Sequence, residues 1–389
     1  MLKQEKLRAA AVAVVALSLL AAGCSSESEN ANAAAAVEGN AAGSGYSAEA
    51  SKAVQQAYEG LYTEPTADGP AAQKGKNIWV VSCSQALPGC SEPAAGIEEA
   101  AKALDWNVTV VDGQATPAGY NSAIRQAVAA KADGIIGVAI DCAYATAALQ
   151  DAKNAKIPTV GVYAYDCDDP KVNGGEALYS ALINNNGTPG EFGALWGKLK
   201  AQYAAAATSG EAKIIQLTHP EFLVTQYEVE GYNAEIAKCS TCEVVATVEI
   251  TAQDLGSPAT TAQKVATVLQ QHPEANVLEV PDDTTLALSA QAITAANRSN
   301  LTVVGGEGYP STFDLIREGV VTSAVAIPAN WLGWSGADAM NRVLAGQPAI
   351  PNQGVSFQII DAEHGLPPAG KGWTPSVDYK ASFTRSWNG

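Results

Sequence analysis

Histidine and basic side chains are scarce in this chain. Three histidines stand among 389 residues, and 23 lysines and arginines face 40 aspartates and glutamates, for a formal charge of −17. An acidic surface argues against nucleic acid and anionic lipid headgroups as partners, and its plainest meaning is solubility. His219, His272 and His364 are far apart, and Cys239-Ser-Thr-Cys242 has no second pair to complete a tetrahedral set. A zinc site is therefore not expected, and neither a metal nor a cofactor is predicted. The motifs of common enzyme chemistries are missing as well: no G-x-S-x-G, no H-E-x-x-H and no G-x-x-x-x-G-K-[ST] occurs. Gly305-Gly306-Glu307-Gly308 follows a predicted strand but is not a dinucleotide fingerprint. His219, which precedes Pro220 after a predicted strand, is a candidate base or ligand contact, with a surface-loop histidine as its plainer reading.

The apolar run at 9–20 is shorter than the roughly 20 residues that span a membrane. It follows Lys3, Lys6 and Arg8 and ends in Ala21-Ala22-Gly23-Cys24, the layout of a secretory signal peptide. A cysteine directly after Ala-Gly marks a lipoprotein cleavage and lipidation site, so Cys24 is expected to carry lipid; plain cleavage nearby is the rival. The position three before the cysteine is Ala21, where most such sites have leucine, and Leu20 sits one earlier. Residues 25–50 hold almost no large apolar side chains and cannot bury enough surface to offset ordering. Residues 24–75 are accordingly predicted to be a flexible tether, with a short helix near 53–58. Losing residues 1–23, which carry three basic and one acidic side chain, takes the charge to −19.

Beyond Cys24 six cysteines remain, an even number that suits disulfides in an exported chain. Sequence alone allows 15 pairings of six cysteines. The strand map favours Cys83–Cys90, Cys142–Cys167 and Cys239–Cys242.

From residue 77 short β-branched runs alternate with alanine-rich amphipathic stretches. The runs fall at 78–81, 108–111, 134–139, 159–162, 213–217, 244–250, 277–280, 301–304 and 321–326. Apolar runs without alternation suit strands buried on both faces, and alternation with helices implies parallel sheets. Nine βα units are many for one open sheet, and 181–186 interrupts the rhythm. The prediction is α/β: two doubly wound Rossmann-like lobes joined at a three-strand hinge. Ligands of such sheets sit outside the carboxyl ends of the strands, which here becomes a cleft between lobes.

The order of segments from about 77 to 361 resembles the sugar-type, ribose-binding-protein-like periplasmic binding proteins of ABC transporters. Ile78-Trp79-Val80-Val81-Ser82 is similar to the first strand of that family, and 93–104 to the helix after it. Ala132-Asp133-Gly134-Ile135-Ile136 resembles its D-G-I-I strand, with Asp141 in the loop beyond. Lys156-Ile157-Pro158-Thr159-Val160 resembles its I-P-V strand, and Val229-Glu230-Gly231-Tyr232 its R-x-x-G-F helix. Pro281-Asp282-Asp283 resembles x-N-D, Val303-Val304-Gly305-Gly306-Glu307 resembles V-V-G-F-D, and Ala324-Val325-Ala326-Ile327-Pro328 the strand returning through the hinge. The resemblance implies crossings near 184–186, 327–328 and 355–357. It implies a first lobe of 76–185 with 328–354, a second of 186–327 with 355–365, and a tail at 366–389 whose expected role is packing along a lobe.

The departures bear on the solute. The Asp-Arg pair that often follows the I-P-V strand is replaced by Val162-Tyr163-Ala164-Tyr165-Asp166, which has no arginine. Gln226 stands near the expected arginine, Pro281 replaces the asparagine, Glu307 the aspartate and Ile327 the hinge glutamine. Ribose itself does not fit. Site residues expected on these grounds are Ser84, Gln85, Tyr120, Asp141, Tyr165, Asp166, Phe222, Gln226, Asp282, Glu307, Asn330 and Trp331. Each has a plainer reading: Asp282 or Asp283 as a helix cap, Tyr120 and Asn121 as a helix start, Phe222 as core, and one of Trp331 and Trp334 as core. No arginine of the lobes falls in a predicted site loop, so an anionic solute, usually clamped by bidentate Arg, is not expected.

The resemblance implies a non-enzymatic, monomeric receptor. It would take a small neutral polar solute, a sugar or polyol, and deliver it to a membrane permease from outside the cytoplasm. The alternatives are a cationic or aromatic solute, for which carboxylates with rings are suited, or a sensor docking a signalling membrane protein. Further off is an exported glycosidase, whose paired carboxylates would be Asp141 and Glu307. A DNA-binding regulator of the same fold is excluded by the leader and the missing headpiece.

Overall fold

The computed structural model describes residues 45–172 and 175–388. The leader, Cys24 and the first part of the expected tether lie outside them. Among the described residues no helix is long and apolar enough to cross a membrane.

Helix α1 (45–58) and an extended strap to residue 76 precede the first sheet. That sheet is built from β1 (Asn77–Ser82), α2 (Pro88–Leu104), β2 (Asn107–Asp112), α3 (Pro117–Ala129), β3 (Gly134–Val138), α4 (Cys142–Asn154), β4 (Thr159–Val162) and β5 (Ala181–Ile183). Its strands lie in the order β2-β1-β3-β4-β5, every pair parallel. The second lobe follows with α5 (Pro189–Ala207), β6 (Lys213–Thr218), α6 (Leu223–Ile236), β7 (Glu243–Glu249), α7 (Ala252–Leu255), α8 (Pro258–Gln271), β8 (Val277–Val280), α9 (Asp283–Ala296), β9 (Thr302–Gly305), α10 (Pro310–Arg317) and β10 (Ser323–Ala326). Helix α11 (Ala329–Leu344) returns to the first sheet, β11 (Gln358–Asp361) to the second, and α12 (Tyr379–Asn388) closes the chain. The second sheet runs β11-β10-β9-β8-β6-β7, parallel except for the antiparallel β10–β11 pair.

The architecture is the predicted pair of doubly wound α/β lobes. Strands β3, β4, β8 and β10 bury every residue, as strands covered by helices on both faces must. Thr116 caps α3 by accepting from Gly119 N, and Thr188 with Glu191 forms a capping box at α5. A proline follows each cap, where its missing N–H costs nothing. Helices α5 and α6 touch backbone to backbone: a Cβ on Gly197 would lie 1.8 Å from the Glu228 carbonyl oxygen, and one on Gly231 2.0 Å from that of Ala194. The three disulfides join Cys83 to Cys90, Cys142 to Cys167 and Cys239 to Cys242.

The chain passes between the sheets at 184–188, 327–328 and 345–357. Residues 181–183, read from sequence as a break in the rhythm, form the edge strand β5, and β11 escaped the sequence pattern altogether.

The larger correction concerns 45–75, predicted as tether. Helix α1 buries Tyr46, Ala50, Val54 and Ala57 in the common core, and Tyr58 donates to Asp361 at the edge of the second sheet (2.6 Å). Leu61 and Thr63 donate backbone N–H to Phe357 and Gly354. The strap then reaches the first lobe, where Gln73 N bonds Asn341 Oδ1 (2.8 Å) and the Trp106 indole bonds the Gln73 carbonyl (2.7 Å). The stretch is polar enough to look like tether, but Tyr46, Ala50, Val54 and Ala57 recur at helical spacing, and Leu61, Tyr62 and Ala72 pack against the same core. The tail packs beside it: α12 stacks Trp387 on Trp334 (5.4 Å between ring centroids) and Tyr379 on Trp331 (4.8 Å).

Candidate functional site

In the first sheet the strand order reverses between β1 and β3, and in the second between β6 and β8. A crevice opens outside the carboxyl ends of the strands at each such point. The two crevices face one another across the hinge. The loop after β1 and the first turn of α2 bring Leu87, Gly89 and the Cys83–Cys90 bridge; the loops after β3 and β4 bring Ala139 and Tyr163. From the second lobe come His219 and Phe222 after β6, Asp282 and Thr284 after β8, Glu307 after β9, and Trp196, Val224, Thr225 and Leu255. Together they line a cavity of about 100 Å³.

The lobes touch around this cavity. Tyr163 donates to Glu307 Oε1 (3.2 Å), the Tyr144 hydroxyl to the Glu221 carbonyl (2.8 Å) and the Tyr227 hydroxyl to Asp169 (2.8 Å). Tyr165 stacks on Tyr227 (5.3 Å) and donates to the Pro189 carbonyl, and Lys171 pairs with Glu230. The arrangement is a closed cleft.

Its charges are organised in pairs, with one exception. His219 Nδ1 lies 2.5 Å from the Ile250 carbonyl oxygen and Nε2 2.6 Å from Asp282 Oδ2. With the Ile250 carbonyl at one nitrogen and the Asp282 carboxylate at the other, the site favours the imidazolium form. Burial works against that charge, but the Asp282 carboxylate and the Ile250 carbonyl outweigh it and raise the pKa; Asp282 is lowered in turn, against the effect of its own burial. Asp282 also caps α9 by accepting from Thr285 N (2.9 Å). Asp283 accepts from the backbone of Glu307 and Tyr309, and burial pushes it up to about 6. Glu307 is 6% exposed. Burial first, and Asp283 and Asp282 next, hold its carboxyl well above the usual range.

Behind the floor of the cavity Lys200, fully buried, reaches Glu228 (3.1 Å), Glu279 (3.2 Å) and the carbonyls of Val280 and Pro281 (3.0 Å each). Those carbonyls immediately precede Asp282, so this cluster sets where the β8 loop stands.

Of the residues expected from sequence, Phe222, Asp282 and Glu307 are brought together on the cavity wall. The others stand elsewhere. Asp141 lies buried at the flank, accepts from Tyr165 N (3.1 Å) and is pushed up to about 7 by burial, against opposing bonds from the backbone of Tyr165 and Leu223. Tyr165 belongs to the interlobe stack. Asp166 spends its carboxylate on the backbone N–H groups of Cys167, Leu178 and Tyr179. Ser84 is buried and receives Ala86 N, while Gln85 is exposed. Tyr120 is core of the first lobe, and Gln226 turns back to the Pro220 carbonyl. Asn330 accepts from Tyr379, and Trp331, like Trp334, is core under α12. The returning tail occupies that side of α11, which moves both residues out of the cleft.

Sequence reasoning missed Tyr163 and Trp196, and it preferred the surface for His219, which lines the cavity. His219 is 2% exposed rather than on the surface. Its partner Asp282 is 63 positions away, and no local pattern announces the pair. Tyr163 follows β4 directly, so the rule that found Asp141 could have found it.

Residues 78–348 match a family model described as a periplasmic binding protein domain. No curated relative matches the chain. Among solved structures it is similar to a glucose-galactose binding protein from Geobacillus stearothermophilus, at 19% identity over 75% of this chain and 99% of that one, with a TM-score of 0.64. It is similar to an ABC transporter solute-binding protein from Agrobacterium vitis bound with α-D-tagatopyranose, at 19% identity, 75% and 97% coverage and a TM-score of 0.65. The periplasmic component of the arabinose ABC transporter from Shewanella sp. ANA-3 gives 19%, 74% and 92%, and 0.62. At these identities the likeness is one of fold.

Proposed function

The chain belongs to the periplasmic binding protein family, a family of solute receptors rather than enzymes, and from that premise we propose that it captures a small polar solute of the sugar or polyol class and hands it to an ABC permease in the membrane. The observation that carries this reading is the closed cleft itself, lined from both lobes at the switch points of both sheets. Residues 76–185 with 328–354 would move as one lobe and 186–327 with 355–365 as the other, opening about the crossings to admit solute. The cavity, about 100 Å³, is smaller than the roughly 150 Å³ that houses a benzene ring. A ring-sized solute would therefore be gripped with the lobes slightly further apart than they stand here. The solved structures of similar fold include proteins described with glucose, galactose, tagatose and arabinose, which supports a sugar as the solute class. Cys24 would hold the receptor to the membrane outside the cytoplasm through lipid.

The test is a thermal-shift and calorimetric screen of the chain from residue 24 against hexoses, pentoses and polyols. A solute at a hundred times its dissociation constant should stabilise the protein by about 2.7 kcal/mol and be recovered unchanged. Failure of every sugar and polyol to bind would overturn the solute class, and cleavage of a bound glycoside would overturn the receptor. Metabolic labelling with palmitate should mark the wild type and not Cys24→Ala.

A further inference from the structure

The polar side chains of the cleft differ in how much of their bonding capacity is already used. His219 is spent on Ile250 and Asp282, and Asp282 on His219 and the start of α9. Thr225 donates to the His219 and Phe222 carbonyls. Glu307 differs: its Oε1 accepts from Tyr163, and no bond within the described residues engages Oε2.

Charge follows the same division. The Asp282 carboxylate has the His219 imidazolium, and the Asp283 carboxylate has two backbone N–H groups. Lys200, the nearest ammonium behind the floor, is held by Glu228 and Glu279. No lysine or arginine lines the cavity. Glu307 is thus a carboxyl group more than nine-tenths buried, facing the cavity, without a counter-ion, and burial favours its neutral form while the cleft is empty. A buried carboxylate in that situation is costly unless something pairs with it. The remaining walls meet the carbon face of a ring more than its hydroxyls. They are largely apolar and include the ring of Phe222, a surface that attracts a cation, whereas the Trp196 ring already has Lys200 Nζ 4.0 Å from its centroid.

We propose that the solute carries a basic nitrogen and that Glu307 is its counter-ion, which makes an amino sugar or amino polyol, rather than the parent sugar, the class that fits. This rests on the sugar-receptor reading and refines it. A basic nitrogen set on Oε2 would take up the carboxyl proton and pair with the carboxylate so formed, and the apolar walls would cover the carbon face of the ring.

The experiment is isothermal calorimetry on the chain from residue 24 with matched probes: D-glucosamine against D-glucose, D-galactosamine against D-galactose, and choline as a cation without a sugar ring. The expected result is at least ten-fold tighter binding of one amino sugar than of its parent, a preference readable on the wild type alone. In Glu307→Gln, checked for folding by circular dichroism, that ratio should fall toward one. Equal or tighter binding of the parent sugars overturns the inference and leaves the sugar receptor standing. Tightest binding of choline supports the counter-ion and overturns the sugar. Binding of none of the probes overturns the inference, and the screen of hexoses, pentoses and polyols then decides whether the sugar receptor falls with it.

Discussion

Replacing Lys200 with methionine tests the buried cluster behind the cleft. The side chains of Lys200, Glu228 and Glu279 are all 0% exposed, and Glu228 Oε2 and Glu279 Oε2 have no hydrogen-bond partner. One ammonium between two carboxylates would leave a net negative charge in a dry interior. Burial first and Glu228 next raise Glu279 well above the usual carboxylate range, so the cluster holds a proton and is neutral. Lys200→Met keeps the length of the chain but strands both carboxyls and the carbonyls of Val280 and Pro281. Removing one partner of a buried ion pair costs about 3–5 kcal/mol. Protonation of the second carboxyl recovers part of that loss, and a net destabilisation of roughly 3 kcal/mol is expected. The triple variant Lys200→Met, Glu228→Gln, Glu279→Gln should regain at least half of it, because neutral groups of similar shape remove the stranded charge. The assay is guanidinium unfolding followed by tryptophan fluorescence, since Lys200 Nζ sits 4.0 Å from the Trp196 ring centroid. Solute binding should weaken in the single variant, because Asp282 follows the released carbonyls. A single variant as stable as wild type, or a triple variant no better than the single, would refute the reasoning.

Two further outcomes follow from the same structure. Asp141 titrates near 7 in the folded chain against 3.8 ordinarily, so the folded state keeps a proton that the unfolded state has lost. Its contribution to stability is fully present below about pH 4 and fades as pH rises toward 7. Asp141→Asn should remove that slope and gain stability over wild type at pH 8 relative to pH 5, and urea melts that show the same difference at both pH values would count against it. Gly231→Ala would set a methyl 2.0 Å from the Ala194 carbonyl, whereas at Gly256 the nearest atom is 3.4 Å away. The first should lose about 1–3 kcal/mol as α5 and α6 are forced apart and the second almost nothing; equal melting temperatures for the two would contradict the close helix contact.

Much of the fold was legible because buried parallel strands are written as short β-branched runs, and β3 (Gly134–Val138) and β8 (Val277–Val280) are good examples. Strand β5 was hidden by its three-residue length beside an asparagine run, and β11 by the polar residues around it. Helix α12 did carry a signal: Tyr379, Phe383 and Trp387 recur every four residues, an apolar stripe that points to packing. In the site, the loops were legible from topology while the occupants were not. Trp196 lies mid-helix in α5 with nothing local to distinguish it from core. Trp331 and Asn330 looked accessible only because the tail that covers them comes 49 positions later. Asp166 looked like a ligand group, yet backbone amides from Leu178 and Tyr179 had already claimed it.

The strap of residues 59–75 has a mechanical consequence. It is anchored on the second lobe through Tyr58 and on the first through Gln73, so it runs parallel to the three crossings and loads them in common. A joint with a fourth ligament is stiffer than one with three. Parting of the jaws should therefore be harder than three crossings alone would make it, and a captured solute should leave slowly.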